Sequence, residues 1–193
     1  REFCYDVKHY SVMNLKGIEE HTILIDSFSK RYSECGIRIG ALISRNQEII
    51  QTALKFAQAR LSPPTFGQIA AEASLKVPES YLNACYKEYK LRRDFIIKEL
   101  NNINGVYTPM PKGAFYSIVH LPVDDAEKFC IWMLQEFEYQ KQTVMMAPGS
   151  GFYTGKKLGD QQVRIAYVLE IEKLARAVKC IEEGLKAYPG TIK

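Results

Sequence analysis

The chain has 193 residues, 47% hydrophobic and 25% charged, the balance of a soluble globular protein with a core and room for one domain or two small ones. Lys and Arg number 26 against 22 Asp and Glu, so the net charge of +4 is too small and too scattered to argue for nucleic acid. No apolar run approaches the roughly 18 residues that would span a bilayer. Five widely spaced cysteines (Cys4, Cys35, Cys85, Cys130, Cys180) without a CxxC pair exclude a zinc ribbon and a disulfide framework, and fit a reducing, cytoplasmic compartment. Nothing at the amino end looks like a signal peptide. The opening Arg1-Glu2-Phe3, without Met, predicts a piece of a longer polypeptide whose upstream part holds an arm or strand.

In chain order, Thr22-Ile23-Leu24-Ile25 is an unbroken aliphatic run rich in β-branched residues, which reads as a strand buried on both faces, the habit of a parallel sheet. A second such run, Ile37 to Ser44, follows a Cys-Gly turn. Asn46 is placed to cap a helix through about Ala57, since its side-chain oxygen can accept a free backbone N–H. Ser62-Pro63-Pro64 breaks the chain, and Pro64 or Thr65 opens a helix over Phe66 to Leu75.

From Pro78 the pattern is helical for about 25 residues, with Leu82, Cys85, Tyr89, Ile96, Leu100 and Ile103 near one stripe, and Asn104-Gly105 as its stop. A helix this long predicts a link between two lobes. Beyond it the pattern alternates: a strand at Ala114 to Val119, a helix carrying Ala126, Phe129, Cys130, Met133, Leu134 and Phe137 on one face, and strands at Thr143 to Met146 and Val163 to Val168. The last helix has Ile171, Leu174, Val178, Ile181 and Leu185 at i, i+3, i+4 spacing. The layout is α/β in front and α+β behind, without internal repeats.

Most of the chemistry lies in Asp26-Ser27-Phe28-Ser29-Lys30-Arg31-Tyr32-Ser33-Glu34-Cys35-Gly36-Ile37-Arg38-Ile39-Gly40. A strand delivers a Ser-x-Ser-Lys group, and eight residues after the lysine comes an Arg flanked by two glycines. A lysine at the end of a buried strand is partly desolvated, and a second cation nearby also favours the free amine, the form that attacks a carbonyl. Ser27 and Arg38 offer a hydroxyl and a forked guanidinium, a pair suited to a phosphate. Gly36 and Gly40 allow a tight turn and close backbone approach. On the residues alone, Lys30 reads as the solvated start of a loop, Arg38 as a surface ion-pair residue, and Cys35 as structural filler sooner than a reactive thiol.

This segment, Ser27-x-Ser29-Lys30 with Arg38 at plus eight and Gly36-x-Arg38-x-Gly40, resembles the pyridoxal-phosphate lysine motif of class I/II aminotransferases. The resemblance continues in family order through Pro111-Lys112-Gly113-Ala114-Phe115-Tyr116, Ala147-Pro148-Gly149-Ser150-Gly151-Phe152 and Val163-Arg164-Ile165-Ala166. It covers nearly the whole chain, is greatest to the aspartate aminotransferase branch, and implies the carboxy-terminal half of a fold-type I enzyme. The fold so implied is α/β: the carboxy-terminal part of the cofactor-binding large domain, a mixed sheet flanked by helices (residues 1–90), joined by a long helix to an α+β small domain (residues 91–193). The implied cofactor is pyridoxal 5'-phosphate, with Lys30 forming the Schiff base and Ser27 and Arg38 binding its phosphate. The implied substrates are an L-amino acid, aspartate or a related one, and a 2-oxo acid, acted on by a homodimer. The resemblance also places the partners of the cofactor ring upstream of Glu2-Phe3, so the 193 residues alone are expected to lack a complete site. A carbon–sulfur lyase of the same fold, or the aminotransferase-like sensing module of a transcription regulator, is the alternative.

Arg164 sits in an otherwise apolar strand, where a charge must be paired or face a cavity. The resemblance makes it the residue that grips the substrate α-carboxylate; an ion pair with a surface Glu is the plainer reading. The resemblance makes Arg60 a candidate cation for a distal carboxylate in the other subunit; on the residues alone it is a helix-end arginine favouring the C-terminal dipole. Lys156-Lys157 after a glycine turn fails as a phosphate loop, because Lys157 stands where Ser or Thr is required. His9, His21 and His120 lie too far apart for a zinc site, and there is no Gly-x-Ser-x-Gly elbow.

Overall fold

The computed structural model describes residues 2–155 and 157–192; Arg1 and Lys156, both named above, lie outside them. The described chain forms two units, one of Glu2 and Lys8–Asn83, the other of Phe3–Val7 and residues 84–192.

In the first unit β1 (Ile23–Ser27) pairs antiparallel with β2 (Gly40–Ser44), in a register running from Ile23 opposite Ser44 to Ser27 opposite Gly40. Two features of the expected parallel, doubly covered strand are therefore corrected. The partner is antiparallel, because the connection over residues 28–39 returns the chain beside itself without the crossover a parallel pair needs. The strand is not covered on both faces within the chain: Leu24 and Asp26 are half-buried on one face, while Ile25 on the other is 78% exposed. Aliphatic content reports a preference for burial, but not the direction of a partner strand.

The helices of this unit begin where their caps predict. Asn46 Oδ1 accepts the Ile49 N–H at 3.1 Å and opens α2 (Gln47–Arg60), which runs three residues past the expected end at Ala57. Pro64 precedes α3 (Thr65–Ser74). A one-turn helix α1 (Phe28–Arg31) and a 3₁₀ turn (Cys35–Ile37) lie between the strands. The boundary between the units falls inside α4 (Glu79–Asn101). Beyond it Gly105 takes the left-handed backbone (φ +77°) that ends the helical run.

The second unit carries a three-stranded antiparallel sheet, in which β5 (Gln162–Ala166) lies between β3 (Tyr116–His120) and the two-residue β4 (Ala147–Pro148). The expected strand at Thr143–Met146 is displaced to Ala147–Pro148, since only those two residues stand opposite β5, at Arg164 and Val163. Pro148 has no N–H to give, which suits the short edge strand. Asp125 caps α5 (Ala126–Gln135), its Oδ1 accepting from the Glu127 and Lys128 N–H groups at 2.8 and 3.1 Å. The last helix, α6 (Ile171–Ala187), turns Leu174, Ile181 and Leu185 into the core with Phe129, Met133 and Val163.

The segment Phe3–Val7 is stitched into this unit. Tyr5 is buried, gives its N–H to Lys112 O at 2.9 Å and its hydroxyl to Ala114 O at 2.7 Å. The Arg93 guanidinium lies over the Tyr5 ring at 4.5 Å and pairs with Asp94 at 2.7 Å and Asp6 at 3.2 Å. Arg93 is only 3% exposed, and its further bond to Pro111 O at 3.0 Å helps satisfy the buried fork.

Candidate active site

Extended β1 ends at Ser27, whose Oγ accepts the Ser29 N–H at 3.2 Å and so caps α1. Asp26 braces the same corner, accepting the Ser27 N–H at 2.8 Å and pairing with Arg31 at 2.7 Å. Arg31 also pairs with Glu2 at 3.1 Å, so this neighbour of Lys30 is committed to holding the segment together.

Lys30 points elsewhere. Its Nζ donates to Cys35 Sγ at 3.6 Å, and Cys35 Sγ in turn donates to Ser29 O at 3.2 Å. The Arg38 guanidinium donates to Cys35 O at 2.8 Å. Two cations eight residues apart in sequence thus converge on one residue, Cys35, while Ser27 caps the helix that carries Lys30. The expectation of a lysine desolvated at the end of a buried strand is corrected: Lys30 stands on α1 and is exposed, and the strand leading to it alternates exposed and half-buried residues.

The loop that carries Arg38 is set by close backbone approaches. A Cβ on Gly40 would lie 2.9 Å from Asp26 O, so this position of the β1–β2 ladder has no room for a side chain. Gly36 has no such role, with nothing within 4 Å of a Cβ placed there. The left-handed turn instead falls on Arg38 itself (φ +57°). From the other side α3 presses on the loop: a Cβ on Gly67 would lie 2.6 Å from Ile37 O, and Ser74 Oγ donates to Glu34 at 2.7 Å. Gly67→Ala is therefore expected to lower stability by about 1–3 kcal/mol, measured by urea unfolding, because backbone must move to admit the methyl group.

In the second unit, strand alternation separates Arg164 from the core. Val163 and Ile165 are buried, while Arg164 is on the other face and only half-buried. Arg164 stands opposite Ile118, which puts Tyr116 diagonally beside it on the same face. The guanidinium lies 4.8 Å from the Tyr116 ring centroid and 4.8 Å from that of Phe152. Phe152 is delivered by the 3₁₀ turn Ser150–Phe152 after Pro148-Gly149, and Gly149 N–H donates to Gln162 O at 2.6 Å. A Cβ on Gly149 would meet that same oxygen at 2.7 Å, so the turn can dock on β5 only with glycine there.

Arg164 borders a cavity of about 360 Å³ together with Tyr116, Met146, Ala147, Ile165 and Leu174. No carboxylate pairs with it among the described residues, so the surface ion pair is not formed. An open guanidinium held between two aromatic faces beside an apolar cavity suits a planar carboxylate. Tyr116 and Phe152 lie inside the motifs quoted from the sequence but are not singled out there; the β3–β5 register brings Tyr116 beside Arg164, and the 3₁₀ turn brings Phe152. Arg60 is exposed at the end of α2, beside Leu42, Ile50 and Phe56 in the first unit.

A family profile described as aminotransferase class I and II matches residues 1–181. Aspartate aminotransferase of Pyrococcus horikoshii is 34% identical over 189 residues, a match covering 95% of this chain and 46% of the relative. The (5-formylfuran-3-yl)methyl phosphate transaminase of Methanocaldococcus jannaschii is 36% identical over 183 residues, covering 94% and 46%. Among solved structures, the aromatic aminotransferase of Pyrococcus horikoshii superposes with a TM-score of 0.81 at 35% identity, over 96% of this chain and 48% of that one. The chain thus spans about half the length of the curated relatives it matches.

Proposed function

We propose, from the premise that this chain belongs to the class I and II aminotransferases, that it serves pyridoxal-phosphate-dependent transfer of an amino group from an L-amino acid, aspartate or a related one, to a 2-oxo acid. The observation that carries this reading is the convergence of Lys30 and Arg38 on Cys35 beside the capped turn at Ser27. A primary amine, a guanidinium and a hydroxyl on one short segment fit a phosphorylated aldehyde: amine for the carbonyl carbon, the other two for the phosphate. We assign those roles to Lys30, Arg38 and Ser27.

When bound, pyridoxal phosphate supplies the electron sink for the bonds at the substrate Cα. The rest falls to side chains. The Lys30 amine, once free, would take the proton from the substrate Cα and later give it up, since a primary amine can act as base and acid in turn. The Arg164 guanidinium grips the α-carboxylate through two parallel N–H···O bonds, and the rings of Tyr116 and Phe152 hold the plane of the fork. A carboxylate fixed in plane sets the direction of the Cα–H bond, and that positioning carries much of the rate.

In this reading residues 1–90 belong to the cofactor-binding domain and residues 91–193 to the small domain of a cytoplasmic homodimer. Incubation of the full-length protein with pyridoxal phosphate, aspartate and 2-oxoglutarate tests it. Oxaloacetate and glutamate formed in equal amounts are expected. Release of pyruvate and ammonia from a sulfur amino acid, without amino-group transfer to any 2-oxo acid, would replace it with the lyase reading.

A further inference from the structure

We propose that Cys35 and Lys30 form an oxidative modification site, in which a hydroperoxide converts the thiol–amine pair into a covalent S–N cross-link that opens again with thiols. Two nucleophiles face each other here, Nζ 3.6 Å from Sγ, and both side chains are exposed. Their approach is built into the backbone. Glu34 N–H donates to Ser29 O at 3.1 Å, the Glu34 carboxylate is held by Ser74 Oγ at 2.7 Å, and Cys35 Sγ reaches the same Ser29 carbonyl at 3.2 Å. Five residues of chain are thereby folded back so that Cys35 meets the lysine.

The other thiols do not compete. Cys130 and Cys180 are buried, burial pushes the Cys130 thiol up to about 11 and Cys180 upward as well, and Cys4 and Cys85 are half-buried. Cys35 is the one exposed cysteine of the five, and attack on a peroxide requires access.

The chemistry balances in two steps. The Cys35 sulfur attacks one oxygen of the hydroperoxide; the O–O bond breaks, the sulfur is oxidised by two electrons to the sulfenic acid, and the peroxide leaves as its alcohol or as water. The Lys30 amine, as free base, then attacks that sulfur. The S–N bond forms, the S–O bond breaks, and the departing hydroxide takes a proton from nitrogen as water. A thiol reduces the S–N bond and restores both side chains. The consequence for activity rests on the role proposed above for Lys30, since the cross-link removes the amine meant for the cofactor.

Hydrogen peroxide treatment of the full-length protein stripped of pyridoxal phosphate, so that the Lys30 amine is not bound to the aldehyde, followed by acylation of free amines with a succinimidyl ester and peptide mapping, tests the site. Acylation of Lys30 should be lost after peroxide and return with dithiothreitol, and the peptide bearing both residues should have lost two hydrogen atoms. In Cys35→Ser, Lys30 should stay acylated throughout. Cys35 oxidised to the sulfinic acid with Lys30 still acylated, or the same loss of acylation in Cys35→Ser, would overturn the proposal. Because the readout uses neither cofactor nor turnover, a cross-link found in a protein that fails to take pyridoxal phosphate would sink the functional reading alone.

Discussion

Lys30→Ala lowers kcat by about 10,000-fold or more in the full-length protein, while its unfolding free energy stays within about 0.5 kcal/mol of the parent. The two halves of this expectation have different origins. Activity falls because no other group in the segment offers a primary amine: Arg31 is engaged by Asp26 and Glu2, and Arg38 is held at Cys35 O. Stability does not fall because the exposed Lys30 side chain has one polar contact, with the Cys35 sulfur. Lys30→Arg sharpens the test. It keeps the charge but loses the amine, so it should be as inactive as the alanine variant if the role is covalent and proton-transferring. Were it to keep most of the turnover, Lys30 would be only a phosphate counter-charge.

Arg164→Ala should reduce kcat/KM for amino-acid substrates by about 2–4 kcal/mol, roughly 30- to 1000-fold, chiefly through KM. The fork is open and unpaired by any carboxylate among the described residues, so its removal strands no buried partner in the protein itself. The structural loss is confined to two cation–π contacts at a half-buried site, about 0.5–2 kcal/mol each. A primary amine lacking the α-carboxylate provides the control: its slow reaction should be equally fast with the parent and the variant. If Arg164→Ala slows both substrates alike, Arg164 supports the sheet and does not bind carboxylate.

Much of this was legible in the sequence, for local reasons. Asn46 and Pro64 open helices because capping is decided within four residues. The i, i+3, i+4 pattern of α6 fixes which of its faces meets the core. Strand partners are long-range, and there the reading failed. Nothing in Thr22–Ile25 tells that its neighbour runs antiparallel, and nothing in Thr143–Met146 tells that β5 stops pairing before reaching it.

The candidate site divides the same way. Lys30, Ser27 and Arg38 stand out as a motif, but the meeting of Lys30 and Arg38 at Cys35 depends on Arg38 taking a left-handed conformation and on α3 pressing Gly67 against Ile37. Neither is written in spacing. Placing Tyr116 beside Arg164 needed the β3–β5 register, and placing Phe152 there needed the docking of the 3₁₀ turn on β5; the sequence prints neither.

The central claim is that Lys30 is the residue bonded to the cofactor. The most direct measurement is to incubate the full-length protein with pyridoxal phosphate, reduce it with borohydride, and map the modified peptide by mass spectrometry. A pyridoxyl group on Lys30, absent from the Lys30→Ala variant, is the predicted result. A pyridoxyl group on another lysine, or none in a folded protein, would contradict it.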